Sequence, residues 1–325
     1  MDPSRCAVSE LLTLRNFLPQ SNEKPLRAAF ASSFLLPEGS LPMPFFKGWA
    51  VSRGARMKQD SRSDAGRVTP DRLPGSARAM SAEEARRYAE DGFVLVKGAF
   101  GAATIAAIEA ELARLEAVPE APGQHWVYGE TVEDPDPRRI IARMENLDAH
   151  SPVFAALNSA LGAYAAVAFG APAVLFKDKL NFKRPGGAGF TPHQDQQAGW
   201  WNYASRFVSI MVSIDASSIA NGCVEFAAGH HTRGMFREWE PLTDADMRTM
   251  DFVPVETEPG DVVLIDSFAP HRSEPNRTDR QRRLYFATFN PAAEGDHLSR
   301  YYADKHANYP PDVERDAERS YTFRV

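Results

Sequence analysis

Cysteine is scarce in this chain, with only Cys6 and Cys223 in 325 residues. Neither belongs to a CxxC or CxxxC pair, so neither a disulfide framework nor a zinc ribbon is expected, and a reducing cytoplasm is the expected compartment. No run of about 18 apolar residues occurs, so the sequence predicts no membrane-spanning helix. The opening MDPSRCAVSELL has no basic stretch followed by an apolar one, which predicts no secretory signal. Positive charge is not in excess either: 37 Lys and Arg stand against 43 Asp and Glu, for a net charge of -6. An acidic chain is a poor match for nucleic acid or an anionic membrane, because both reward a basic surface. The expected partner is a small molecule, with homo-oligomer formation left open. Hydrophobic residues make up 43% and charged residues 25%, the make-up of an ordinary globular chain able to bury a core.

Two regions differ in character. Residues 1–79 carry 12 Lys and Arg against 7 Asp and Glu. Their stretch Arg53–Arg78 has almost no apolar periodicity, as in a disordered segment. Residues 1–79 are expected to be a disordered or dispensable extension, and residues 80–325 the domain. Order is expected from Ser81, where Ser81 and Glu84 fit a capping box and Gly92 supplies a helix stop. Phe93–Val96 reads as a buried strand. Helices are expected over Ala102–Val118, where Ile105, Ile108, Leu112 and Leu115 recur at helical spacing, and over Pro152–Phe169, where Val153, Phe154, Leu157, Leu161 and Tyr164 make one stripe.

From Val174 the pattern turns to strands. Val174–Phe182 alternates, with Leu175, Lys177, Lys179 and Asn181 on one face. Phe207–Ile214, Cys223–Ala227, Asp261–Ser267 and Leu284–Asn290 are further strands, divided by turns such as Pro185-Gly186-Gly187, Asn221-Gly222 and Pro259-Gly260. Short strands at this spacing predict a mainly β fold with flanking helices, an antiparallel sandwich or barrel.

The chemistry starts from Thr191-Pro192-His193-Gln194-Asp195. In an extended chain, residues i and i+2 project to the same side, so His193 and Asp195 can present an imidazole and a carboxylate together. With a second histidine they would make a 2-His-1-carboxylate set that leaves positions open on Fe(II). The pair alone says little, since a lone histidine is as easily a surface or hydrogen-bonded core residue. His271 is the candidate third ligand, following the strand at Asp261–Ile265. Five arginines come after it: Arg272, Arg277, Arg280, Arg282 and Arg283. One pointing inward would suffice to hold a dicarboxylate by a bidentate pair; the others read as a solvated basic face. A zinc hydrolase would want a further His or Cys in place of the open positions.

These stretches together resemble the phytanoyl-CoA dioxygenase superfamily. The resemblance is carried by Tyr88–Val94, by His193-Gln194-Asp195 with the aromatics after it, by Asn221–His231, and by His271-x-Ser273-x-x-Asn276-x-Thr278-x-x-x-Arg282. It implies a double-stranded β-helix core, also called a jelly roll or cupin-like fold. It further implies Fe(II) on His193, Asp195 and His271, with 2-oxoglutarate and dioxygen as co-substrates. By the same resemblance Arg282 pairs with the far carboxylate of 2-oxoglutarate, Ser273 assists, and Asn181 contacts the oxo-acid. Where the family writes Gly-Ser-His, this chain has Gly229-His230-His231, and the extra histidine reads as a turn residue outside the metal site. The retained Asp195 favours hydroxylation over halogenation, because the related halogenases lack that carboxylate.

Substrate residues are expected among Gln196, Trp200, Trp201 and Lys179. The tryptophans could face an ammonium group. Lys177, Lys179, Arg184 and Arg143 could meet a phosphonate or carboxylate. The carboxyl-terminal Tyr301–Lys305 and Tyr309–Asp312 resemble the branch acting on 2-aminoethylphosphonate-type compounds. A small zwitterionic metabolite, or a quaternary ammonium compound, fits better than an acyl-CoA, because no adenine-phosphate motif is evident. An acyl-CoA or amino-acid substrate and a non-catalytic jelly-roll module that binds a metal or ligand are the alternatives.

Overall fold

The computed structural model describes residues 73–132 and 137–321. The expected extension lies outside the described residues as far as residue 72. Of its last residues, Leu73 and Ala77 pack on the main core. Arg78 N–H donates to the Ala99 carbonyl at 2.8 Å, and the Thr104 hydroxyl donates to the Pro74 carbonyl at 2.6 Å.

The amino-terminal half mixes four helices with three strands: α1 (Ala82–Asp91), β1 (Phe93–Val96), α2 (Ala102–Ala117), β2 (Trp126–Val132), β3 (Arg138–Glu145), α3 (Leu147–His150) and α4 (Pro152–Phe169). Strands follow: β4 (Ala173–Lys183), β5 (Phe190–His193), β6 (Val208–Ser213), β7 (Val224–Ala227), β8 (Phe252–Val255), β9 (Val262–Asp266), β10 (His271–Ser273) and β11 (Arg282–Pro291). Helix α5 (Leu298–Asn308) closes the series.

Helix α1 begins as its sequence dictates. The Ser81 hydroxyl accepts from Glu84 N–H at 3.2 Å, and the Glu84 carboxylate accepts from Ser81 N–H at 2.7 Å. These bonds satisfy amides that the first helical turn leaves unpaired. Gly92 ends the helix at φ 82°, a left-handed conformation that costs glycine little, and a Cβ there would collide with the His231 ring.

The strands form two antiparallel sheets, one of seven strands in the order β1-β9-β6-β11-β4-β3-β2 and one of four in the order β5-β10-β7-β8. This is the expected mainly β sandwich with flanking helices. The larger sheet turns one face to the helices, where Leu180, Phe182, Val208, Ile210, Val212 and Tyr285 pack with Ile108, Leu112, Phe154, Leu157 and Leu161. Each such side chain removed from water contributes about 1.5–3 kcal/mol. Helix α4 is long and apolar enough to cross a membrane, but its Phe154, Leu157, Leu161 and Tyr164 are buried in this core. The other face looks toward the smaller sheet across Met211, Phe226, Val263, Ile265 and Leu284.

β2, β3, β8 and α5 have no counterpart in the sequence reading. β3 reads RRIIARME, a run of mixed charge that gives no clean alternation. Its charged residues are tolerated because β3 lies toward the edge of the sheet and turns part of one face to the site described next.

Candidate active site

His193 is the last residue of β5, and Asp195 opens the 3-10 turn Asp195–Ala198. Gln194 between them is extended, at φ -115° and ψ 138°, so the alternation that puts His193 and Asp195 on one side survives the end of the strand. His271 opens β10 and pairs directly with His193 across the smaller sheet. The ring centroids of the two histidines are 4.2 Å apart. One ligand atom from each of His193, Asp195 and His271 lies within 4.8 Å of the other two.

Neighbouring groups fix these side chains in the form a cation needs. His193 Nδ1 meets the Thr191 carbonyl at 2.7 Å, and His271 Nδ1 meets the Ala269 carbonyl at 3.0 Å. A carbonyl only accepts, so each Nδ1 carries the proton and each Nε2 keeps its lone pair for a metal. Burial, and then the neighbouring His271, push His193 down to about 3, which keeps the imidazole neutral. Burial alone would raise the Asp195 carboxyl, but His271, Lys179, His193 and Lys177 outweigh it and hold it ionised. Asp195 also accepts from the Ser209 hydroxyl at 2.8 Å, and Ser209 is 3.0 Å from Thr288 Oγ1. Gln194 clamps the loop, donating to the carbonyls of Gly234 and Phe268 at 2.9 and 2.7 Å and accepting from Phe236 N–H at 2.8 Å. Two imidazoles whose Nε2 atoms are left open and one carboxylate, all largely buried, are a donor set that fits a divalent first-row ion.

The arginines after His271 separate cleanly. Arg272 pairs with Glu225, Arg277 with Glu274, and Arg283 with Asp215 and Glu109. Arg280 is exposed. Arg282 alone of the five is buried, at 2% exposure, and its Nε and Nη1 have no hydrogen-bond partner. Burial pushes it down to about 10. A guanidinium is costly to bury without an anion, so this end of the site fits a carboxylate ligand. Ser273 and Asn181 stand with it: Ser273 is buried, and Asn181 Oδ1 is buried without a partner. The Asn276 and Thr278 of the motif shape the loop instead. Asn276 donates to the carbonyls of Lys183 and Arg280 at 2.9 and 2.7 Å, and its side-chain oxygen accepts from Thr278.

Lys183 belongs to the same end and was not expected from sequence. Its ammonium donates to Ser273 Oγ at 2.8 Å and to the Gly222 and Glu274 carbonyls. Burial, and then Arg282, push it down to about 7. The β4 alternation, carried two residues past Asn181, was the signal that could have found it.

The remaining expected residues fall into two groups. Lys177, Lys179 and Arg143 come together on the inner face of β3 and β4, joined by Glu145 and by Lys305 of α5, which donates to Glu145. Gln196 and Trp200 are buried beside them, at 1% exposure each. Arg184 goes elsewhere, to Glu116 at 3.1 Å and the Ile141 carbonyl. Trp201 is half-buried and packs on Trp239. The Trp200 ring is not free for a ligand cation, because Lys177 Nζ lies 4.3 Å from its centroid. His230 pairs with Arg233, and neither it nor His231 joins a metal-binding group among the described residues.

A jelly roll with this triad, and with a buried arginine lacking an anion, defines an Fe(II)- and 2-oxoglutarate-dependent oxygenase. Comparison with known proteins agrees. The family model for phytanoyl-CoA dioxygenase (PhyH) matches residues 88–284. A 2-aminoethylphosphonate dioxygenase from uncultured bacterium HF130_AEPn_1 is 37% identical over 247 residues, covering 74% of this chain and 93% of that protein. A methylphosphonate hydroxylase from Gimesia maris is 38% identical over 142 residues, 43% of this chain and 54% of that protein. In fold, the chain is similar to EctD from S. alaskensis, whose crystal structure holds 2-oxoglutarate and 5-hydroxyectoine, with a TM-score of 0.56 at 23% identity over 70% of this chain and 83% of that one. The chain belongs to the phytanoyl-CoA dioxygenase family and is an Fe(II)/2-oxoglutarate-dependent dioxygenase.

Proposed function

We propose that this dioxygenase hydroxylates a C–H bond of a small aminophosphonate of the 2-aminoethylphosphonate type. His193, Asp195 and His271 hold the iron, and Arg282, with Ser273 and Asn181, anchors 2-oxoglutarate. The observation that carries the co-substrate assignment is the buried, unpartnered Arg282 guanidinium. The substrate class is supported by the 2-aminoethylphosphonate dioxygenase that aligns over 93% of its length, and by the cations collected on β3 and β4. A quaternary ammonium substrate is disfavoured by the same cations and by the Lys177 ammonium already over Trp200.

When bound, iron supplies activation of dioxygen coupled to oxidative decarboxylation of 2-oxoglutarate. The chain's own residues do the rest. Thr191 and Ala269 carbonyls hold the imidazole protons on Nδ1, so that both Nε2 lone pairs converge. Ser209 orients the Asp195 carboxylate. Arg282 fixes the far end of the co-substrate, and Lys183, whose donors go to Ser273, Gly222 and Glu274, holds Ser273 in place and adds positive charge there. Residues 80–325 form the catalytic domain, with Leu73–Ala79 docked on it, and a cytoplasmic setting is supported by Cys223, which is free and buried.

The test is a 2-oxoglutarate turnover screen with purified protein, Fe(II) and ascorbate over aminophosphonates, betaines and amino acids. Succinate release stimulated by 2-aminoethylphosphonate, with a hydroxylated phosphonate as product, is the expected result. Stimulation by a betaine or an amino acid, and by no phosphonate, would overturn the substrate class.

A further inference from the structure

A cluster of charged side chains among the described residues takes no part in the iron and co-substrate assignments. Its geometry follows from sheet register. Across the inner face of the larger sheet, Glu145 of β3 stands beside Lys179 of β4, Lys179 beside Phe286 of β11, and Phe286 beside Met211 of β6. The next row along is Lys177, Thr288 and Ser209, and Ser209 holds Asp195. Lys177 and Lys179 therefore project from the same face, two strands to the side of the residue that orients a metal ligand, about 10 Å at the backbone. Long lysine stems shorten that separation at the ammonium ends. Both lysines feel the Asp195 charge.

The charges do not balance. Arg143, Lys177, Lys179 and Lys305 surround Glu145, and Glu145 is taken by Lys305, with Arg143 Nη1 at 3.4 Å. Asp195 is committed to the metal. No carboxylate lies within ion-pair distance of Lys177 or Lys179 among the described residues, and their close neighbours are aromatic faces. Lys177 Nζ is 4.3 Å from the Trp200 centroid and 5.3 Å from that of Tyr301, and Lys179 Nζ is 5.1 Å from that of Phe286. Lys177 is only 5% exposed, and burial pushes both lysines down from their ordinary range. The Tyr301 ring lies beside Lys177, and its buried hydroxyl has no hydrogen-bond partner among the described residues. One buried and one half-buried ammonium and an idle hydroxyl donor incur a desolvation cost that an incoming anion offsets. One carboxylate would leave a lysine unanswered. A dianion with three acceptor oxygens answers both lysines and the hydroxyl.

We propose that Lys177 and Lys179, with the Tyr301 hydroxyl, bind the phosphonate group of the substrate and select it over carboxylate and sulfonate. This subsite is separate from the Arg282 and Lys183 end that takes 2-oxoglutarate, and the proposal rests on the phosphonate reading above.

The test compares wild-type protein with Lys177→Met, Lys179→Met and Tyr301→Phe, using Fe(II), 2-oxoglutarate and four probes: 2-aminoethylphosphonate, methylphosphonate, taurine and β-alanine. Wild type should turn over or bind the phosphonates at least about tenfold more tightly than taurine or β-alanine. Each lysine variant should raise the KM for 2-aminoethylphosphonate by about 10- to 100-fold and lose the preference for phosphonate, while Tyr301→Phe should raise it less. Lys177→Arg, which restores charge, should recover part of the affinity. Replacing a buried, unpaired cation by methionine preserves the fold, and unchanged thermal denaturation and 2-oxoglutarate KM separate lost recognition from misfolding. If wild type uses phosphonates and the lysine variants bind them within about threefold of it, the subsite is wrong and the function stands. If wild type uses none of the phosphonates, both fall together.

Discussion

The two faces of β4 share a backbone and differ in almost everything else. Toward the helices, the Asp178 carboxylate accepts from the N–H groups of Leu147 and Asp148 at 2.9 and 2.6 Å, from the hydroxyls of Tyr302 and Tyr285 at 3.0 and 3.2 Å, and from Asn158 at 3.3 Å. Both carboxylate oxygens are hydrogen-bonded, and Leu180 and Phe182 complete an apolar layer. Toward the smaller sheet, Asn181 Oδ1 has no partner, Lys177 and Lys179 have no carboxylate, and Lys183 crowds against a buried Arg282. Native interiors satisfy their polar groups; where one face of a strand does so completely and the other does not, the unsatisfied face is the one that meets ligands.

That contrast can be broken by substitution. The largest effect is expected opposite the inner face, at the triad: His193→Ala or Asp195→Ala should abolish substrate-stimulated succinate formation, and wild-type turnover by either variant would remove the metal assignment. Arg282→Met should raise the KM for 2-oxoglutarate by roughly 100-fold without lowering the midpoint of thermal unfolding, because it removes a buried unpaired charge. Asp178→Ala should do the reverse. It should cost about 2 kcal/mol in urea denaturation and leave the KM for 2-oxoglutarate near wild type; a raised KM with unchanged stability would show that the helix-facing side also serves the ligands. Ser209→Ala should weaken iron affinity by about tenfold, read by titration of metal-dependent turnover.

The smallest effect concerns pH. Lys183 is pushed down to about 7 by burial and then by Arg282, against the pull of Cys223, Glu274 and Glu130. Between pH 7 and the ordinary lysine range, the unfolded chain keeps a proton that the folded chain has released. This group therefore adds stability as pH rises through that window. If Lys183 stands at the co-substrate anchor as proposed, 2-oxoglutarate favours the charged lysine, and its stabilising effect runs the other way. The thermal shift it produces with Mn(II) should shrink about threefold from roughly pH 6.5 to 8.5, and Lys183→Met should remove the slope. An equal shift at both pH values would mean that Lys183 stays charged throughout.

Much of this was legible in the residues themselves. Ser81, Glu84 and Gly92 carry the ends of α1 in local chemistry, and α2 and α4 bury the stripes that their spacing marks. The alternation of Val174–Phe182 separated the two faces of β4 from Lys177 to Phe182, but a bulge opposite Thr288 and Phe289 sends Leu175 to the helix-facing core and Phe176 to Trp200 and Tyr301; the offset from His271 to Arg282 pointed to the one arginine of the five that is buried. What escaped was charge in unexpected places. Glu145, Lys183 and Lys305 are buried, whereas charged residues mostly lie at the surface. Their burial depends on partners 90 to 160 residues away, Ser273 for Lys183 and Glu145 for Lys305; the β4 alternation gives the inward side of Lys183, but no local pattern supplies these partners. β3 was missed for the same reason: its charges look outward in sequence and in part face the site in the fold.

The two carbonyls that grip His193 and His271 have a consequence for metal supply. A socket whose donor atoms already converge loses little freedom when an ion arrives, so any divalent ion of the right size and coordination habit is seated with similar ease. Affinity among first-row ions then follows their intrinsic order, in which cobalt, nickel and copper bind nitrogen and oxygen donors more tightly than iron. With such a donor set, occupancy by iron depends on which ions the surroundings offer as well as on the site itself.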